Sequence, residues 1–212
     1  MPAITLVFSA THTRMGAFIR AVTHARYNHV ALSLDGGVSL CSFARKFGNV
    51  PFCGGFVEES PLRYRHRGET AQAVILRVPV TEEGYAAASA LLARLRRRRE
   101  AYLYDLFSAA LAPLHRRLFI AESYTCVEFA AAVLTAAGAL TAEEGRRFWS
   151  VEGLLAHFAS CRVYEGGFPL PEEAGWQDDS FPHHQSLPAA CALTCRAVGR
   201  LTVRALRGQK AE

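Results

Sequence analysis

Short apolar runs, alternating strands and stretches of helical period take turns along this chain. Ile4 to Phe8 is a continuous apolar run and reads as a buried strand. Met15, Phe18, Ile19 and Val22 then hold helical spacing behind Thr13, a candidate N-cap. His29 to Leu34 alternates with period two. One face of that strand, Val30, Leu32 and Leu34, belongs to a core. The other, His29, Ala31 and Ser33, is small or polar and is expected to line a cleft. Asp35-Gly36-Gly37 supplies hairpin turn chemistry, and Val38 to Phe43 is the predicted return strand.

The pattern lapses from Ala44 to Pro61, where Arg45, Lys46, Pro51 and Gly54-Gly55 predict a long functional loop. Arg63 to Arg67 reads as basic and exposed. Ala73 to Val80 is a predicted strand. Thr81-Glu82-Glu83 then opens a helix whose inner side is Tyr85, Ala88, Leu92 and Leu95. It ends in Arg96 to Arg99, which point in four directions and are read as solvation plus a favourable charge at a helix C-terminus, with a polyanion or membrane-surface site as the alternative. Tyr102 to Ile120 is apolar and predicted helical as far as Pro113. Thr125 followed by Glu128 is a capping box, and Cys126, Phe129, Ala130, Val133 and Ala137 form one helical face that stops at Gly138. Thr141 and Glu144 form a second box. Ser150 caps a short helix stapled by Trp149 and Leu154, and Arg162 to Tyr164 is a candidate last strand. Pro, Gly, Asp and His then dominate from Gly166 to Pro188, which predicts irregular chain. A final helix from Pro188 onward gathers Arg196, Arg200, Arg204 and Arg207 on one face, with Cys191, Val198, Leu201 and Ala205 on its far side.

A chain of 212 residues supports one substantial core, or a core domain with an appendage. The start has neither a basic n-region nor an apolar run of signal length, so a cytoplasmic location is expected, with the six cysteines reduced rather than paired. No stretch approaches a transmembrane span. A net charge of +5 suits anionic surfaces or substrates but does not argue for nucleic acid. Walker, GxGxxG and HExxH motifs are absent from the sequence, so no cofactor is expected. His183-His184 with Cys191 and Cys195 has the wrong spacing for a zinc finger pair, and no metal is expected either.

The candidate chemistry centres on Cys126. The capping box makes it the first residue of its helix, where free N–H groups and the helix dipole favour a thiolate. Nucleophilic cysteine catalysis needs that thiolate, an imidazole in reach and a polar group to orient the imidazole. His29, at the head of a strand with small neighbours, is the candidate base. Tyr124 is a candidate oxyanion donor beside the Cys126 N–H, and Arg45 and Lys46 are candidates for binding a substrate carboxylate or phosphate.

The order of these pieces, His29-Val30-Ala31 early and Tyr124-Thr125-Cys126-Val127-Glu128-Phe129 late, resembles the circularly permuted branch of the NlpC-type papain-like cysteine hydrolases (the YiiX-like proteins and their bacterial relatives). Tyr27-Asn28-His29-Val30, Ser42-Phe43-Ala44-Arg45-Lys46 and Gly54-Gly55-Phe56-Val57-Glu58-Glu59 look like blocks of the same family. The resemblance spans residues 3 to 160 or so. It implies an α+β, papain-like fold in which a small antiparallel sheet packs against the cysteine helix. The expected division is a domain over residues 1–165 followed by an irregular segment and basic helix over 166–212. It also implies His29 as general base and acid. The strand after the histidine offers Ser42 as the orienting group, or Cys41 if the hairpin register differs. The expected activity is that of a thiol hydrolase or acyltransferase acting on an amide or ester of a small peptidic or lipid-like substrate. The alternative is a non-catalytic binding module of the same fold for acyl or peptidic ligands. The final helix is expected to pack on the domain or project free, with a membrane surface as the alternative partner.

Overall fold

The computed structural model describes residues 1–66, 68–169 and 179–208. Arg67, part of the irregular segment and the side chains of Arg14, Met15 and Phe18 lie outside that description. The fold is α+β, with a six-stranded antiparallel sheet and seven helices among the described residues. In chain order the elements are β1 (Ala3–Ser9), α1 (Arg14–Thr23), β2 (His29–Ser33), β3 (Leu40–Arg45), β4 (Gly54–Glu59), β5 (Arg65–His66), β6 (Glu69–Thr70) and β7 (Gln72–Pro79). There follow α2 (Glu82–Arg97), β8 (Leu103–Tyr104), α3 (Leu106–Leu111), β9 (Ser123–Tyr124) and α4 (Cys126–Ala136). The chain ends with α5 (Ala142–Arg146), α6 (Val151–His157), β10 (Arg162–Gly167) and α7 (Leu187–Gly208).

The sheet runs β10-β7-β1-β2-β3-β4. Its two faces bury two separate sets of side chains, as the period-two pleat requires. Ile4, Leu6, Phe8, Val30 and Leu32 pack under Phe129, Val133 and Leu134 of α4 and Leu92 and Leu95 of α2. Val7, Ala31 and Leu40 face the other way, against Tyr64, Ala73 and Phe168. The His29, Ala31, Ser33 face therefore does not line a cleft along its length. Ala31 and Ser33 are 1% exposed, and His29 alone reaches the open end of the strand.

Two further expectations change. The segment from Ala44 to Pro61 is not one long loop, because β4 lies within it and pairs with β3 from Leu40↔Glu59 to Arg45↔Gly54. Its glycines read as loop chemistry, but they serve a close crossing. A Cβ on Gly54 would stand 2.7 Å from Tyr104 Cβ, and one on Gly55 would stand 2.6 Å from the Tyr102 carbonyl oxygen. Only glycine lets β8 pass this near to β4. The Arg63 to Arg67 stretch is not uniformly exposed either. The Arg63 side chain is 7% exposed and Tyr64 is 1% exposed, its ring stacked on Phe168 at 4.0 Å.

The α4 start forms as its sequence dictates. Thr125 Oγ1 accepts from the Glu128 N–H at 3.3 Å, and Glu128 Oε2 accepts from the Thr125 N–H at 2.7 Å. Beyond α6 the chain rejoins the body. β10 pairs with β7, Phe168 enters the second core face, and Leu201 of α7 packs with Leu103 and Ile120. Arg200 and Arg204 turn inward to cap the Glu100, Ala101 and Glu122 carbonyls. No described helix is long and apolar enough to cross a membrane.

Candidate active site

Three elements supply the site: the start of α4, the head of β2 and the end of β4, whose Glu59 side chain reaches back towards His29. Cys126 is the first residue of α4 and is 5% exposed. Its side chain lies near enough to the His29 ring to raise the imidazole pKa. The residue before His29 is locked in place. Asn28 Oδ1 accepts from the Thr11 N–H at 3.0 Å and from Arg20 Nη1 at 2.6 Å, while Asn28 Nδ2 donates to Thr11 Oγ1 at 2.8 Å.

The group facing the other side of the imidazole is Glu59, whose Oε1 lies 2.7 Å from His29 Nε2. That leaves Nδ1 as the ring nitrogen available to the Cys126 sulfur. Ser42 Oγ donates to Glu59 Oε1 and the Tyr64 hydroxyl donates to Glu59 Oε2, so both carboxylate oxygens are held. The carboxylate side chain is 1% exposed and the imidazole 12%. Burial on its own pushes the His29 pKa down. The Glu59 carboxylate and the nearby Cys126 side chain outweigh it and raise the imidazole to about 10. Burial pushes Glu59 up, and the His29 cation, the Arg63 guanidinium and the Ser42 hydroxyl outweigh it and bring the carboxyl down to about 2. His29 and Glu59 are thus a buried ion pair at neutral pH.

The structure gives the predicted residues different places. Cys126 and His29 are brought together. Ser42 lies one step further back, on Glu59 rather than on the imidazole, and the Cys41 thiol donates instead to the Leu32 carbonyl at 3.5 Å. Tyr124 packs its ring against Phe43, with centroids 5.1 Å apart, and not into the cleft. The tyrosine that borders the cleft is Tyr104, the β8 partner of Tyr124, which the sequence reading did not single out. Burial and the charge of Cys126 hold its hydroxyl pKa well above the ordinary value, so the Tyr104 hydroxyl stays neutral. Arg45 borders the cleft, with Nη1 donating to the Gly48 carbonyl at 3.1 Å. Lys46 faces a second cavity, paired with Glu100 at 2.7 Å.

No family model matches the chain, and no match is found among the curated proteins or the solved structures.

The cleft above His29 has a volume of about 370 Å³. Beside the polar His29, Glu59, Asn28, Thr11, Thr13, Tyr64, Tyr104, Arg45 and Arg63, its walls carry the apolar Ile19 of α1, Pro51 and Phe52, Leu106 and Ala109 of α3, and Phe181. All six cysteines are unpaired, and among the described residues no cluster of three metal-ligating side chains occurs. Glu59 was visible in the sequence as the end of the Gly54 to Glu59 block. What hid its role was the reading of that block as loop, which left it no strand register with which to reach His29.

Proposed function

We propose that this protein is a papain-like thiol hydrolase or acyltransferase, with Cys126 as nucleophile, His29 as general base and acid, and Glu59 as the residue that orients His29. The observation that supports this best is the position of His29 between the Cys126 side chain and a buried carboxylate at 2.7 Å. A nucleophile, a base within hydrogen-bond reach and a third group orienting the base is the arrangement that activated-thiol chemistry needs.

In this reading His29 carries its proton from the start, and the Cys126 sulfur, as thiolate, attacks an amide or ester carbonyl carbon. The negative charge that develops on the carbonyl oxygen meets the backbone N–H of Cys126, one of the amides a helix start leaves without an intrahelical partner. The Tyr104 hydroxyl is a second donor at that place. His29 then protonates the leaving amine or alcohol as its bond to carbon breaks, leaving a thioester on Cys126. Water, or a second acceptor, gives a proton back to His29 as its oxygen or nitrogen adds to the thioester carbon, and the sulfur leaves. The apolar side chains of the cleft suit a small peptidic or lipid-like acyl group. The cytoplasm remains the expected location.

A binding module of the same fold is the competing reading, and the 5% exposure of Cys126 favours it. Alkylation decides between them. With iodoacetamide at low molar excess, peptide mass spectrometry should find Cys126 modified faster than the exposed Cys191 and Cys195, and slowed by His29→Ala. Labelling of Cys126 slower than those two surface thiols sinks the nucleophile.

A further inference from the structure

The chain that follows the sheet returns to the cleft and is fastened there. Asp179, with a side chain 3% exposed, accepts from Arg63 Nε at 2.7 Å and Nη2 at 2.6 Å, and from the Ser60 N–H at 2.9 Å. A buried two-pronged guanidinium–carboxylate pair fixes both position and orientation. Arg63 Nη1 also donates to the Arg45 carbonyl at 2.8 Å, so one cation ties the returning chain to the end of β3. The next residues add bonds of their own. Asp179 Oδ1 accepts the Phe181 N–H at 3.0 Å, Ser180 Oγ donates to the Lys46 carbonyl at 2.9 Å, and the Gly48 N–H donates to the Phe181 carbonyl at 3.0 Å. Asn49 and Gln185 exchange two more, at 2.7 and 3.0 Å.

These bonds deliver one side chain to the cleft. The Phe181 ring lies 4.6 Å from the Arg63 guanidinium carbon and 5.5 Å from that of Arg45, and it forms part of the wall of the space that holds His29 and Glu59. Stacked on two cations, the ring is held by more than its apolar area. Seven hydrogen bonds and a buried ion pair are more than a surface connection needs in order to cross a domain. They suit a segment whose job is to place a side chain.

We propose that Asp179–Phe181 is a specificity-determining wall: Phe181 sets how long an apolar acyl group the cleft accepts, and Asp179, gripped by Arg63, is the positioning residue that holds Phe181 there. This rests on the reading of Cys126 as the nucleophile. The probes are iodoacetamide and its N-hexyl and N-dodecyl derivatives, and the readout is the ratio of long-chain to short-chain alkylation rates at Cys126, which cancels any general change in thiol reactivity. Phe181→Ala should raise the ratio about tenfold or more, the scale on which an apolar pocket discriminates by size. Asp179→Asn should move it the same way, and Phe181→Leu should return it towards the starting value. A melting curve for each variant separates loss of the wall from loss of the fold. If Cys126 reacts quickly in the unmodified protein and the ratio is the same in folded Phe181→Ala, the wall is wrong and the nucleophile stands. If Cys126 reacts more slowly than Cys191 with iodoacetamide itself, the nucleophile is wrong and the wall falls with it.

Discussion

Glu59→Gln removes the charge from the buried pair while keeping the side chain's volume. Breaking one partner of such a pair costs about 3–5 kcal/mol. Gln can still accept from Ser42 or Tyr64, so the loss should lie near the low end, about 3 kcal/mol. For a chain of this length that is a fall in melting temperature of roughly 6–12 °C. The pH dependence carries more information than the size. His29 has its folded pKa raised from 6.5 to about 10, so its share of the stability is fully present below 6.5 and is lost as pH rises through about 10. Glu59 has its folded pKa lowered from 4.5 to about 2, so its share is present above 4.5 and is lost as pH falls through about 2. Both partners report one interaction, which counts once. The gap in stability between wild type and Glu59→Gln should therefore be widest between pH 4.5 and 6.5 and should narrow on either side. Thermal unfolding followed by circular dichroism from pH 3 to 10 measures it, and ¹⁵N NMR of the imidazole follows His29 directly. A gap that does not vary with pH, or a wild-type His29 that titrates at or below 6.5, refutes the ion pair.

Other consequences are simpler to test. Thr125→Ala deletes the hydroxyl that accepts from the Glu128 N–H at the α4 start, and should cost about 1 kcal/mol; a melting temperature equal to wild type would remove the cap from the account, and Thr125→Ser should retain it. Gly54→Ala would set a Cβ 2.7 Å from Tyr104 Cβ and 2.8 Å from the Ala44 carbonyl oxygen. That overpacking should cost about 1–3 kcal/mol and speed amide exchange in β8. Unaltered exchange would mean that β4 and β8 do not cross so closely.

How much of this was legible in the sequence depended on the range of the signal. Caps are local, and Thr13, Thr81, Thr125, Thr141 and Ser150 all accept from the backbone N–H three residues on, as their sequence context predicts. Strand pattern, as apolar runs or alternation, placed β1, β2 and β7. It failed at β4, where Gly54 and Gly55 answer to a crossing strand nearly fifty residues away in sequence, and no local pattern records that. Arg63 was read as exposed because charge predicts solvent, while its partner Asp179 lies more than a hundred residues on. Cys126 and His29 were candidates from their positions, one at a capped helix start and one at a strand head, and the resemblance to a permuted family paired them. Glu59 was not, because the identity of a third residue depends on the order of strands in the sheet, and a hairpin reading runs out at β3.

That failure bears on what the site is for. Replacing a buried ion pair with well-packed apolar side chains is often neutral or stabilising. His29, Ser42, Glu59, Tyr64, Arg63 and Asp179 nevertheless form a continuous polar chain, bonded at every link but that between Glu59 and Arg63, where the guanidinium acts through its charge. It crosses from the cleft floor into a sheet otherwise filled with aliphatic and aromatic residues. Fold stability alone does not call for such a chain, and a serine at position 42 with nothing beyond it could not have fixed an imidazole. A carboxylate that is itself held at both oxygens can, since its own rotamer is settled before His29 is placed. The physical case for chemistry at Cys126 therefore rests less on the cysteine, whose capped helix start is common, than on the depth of polar structure assembled behind the histidine that faces it.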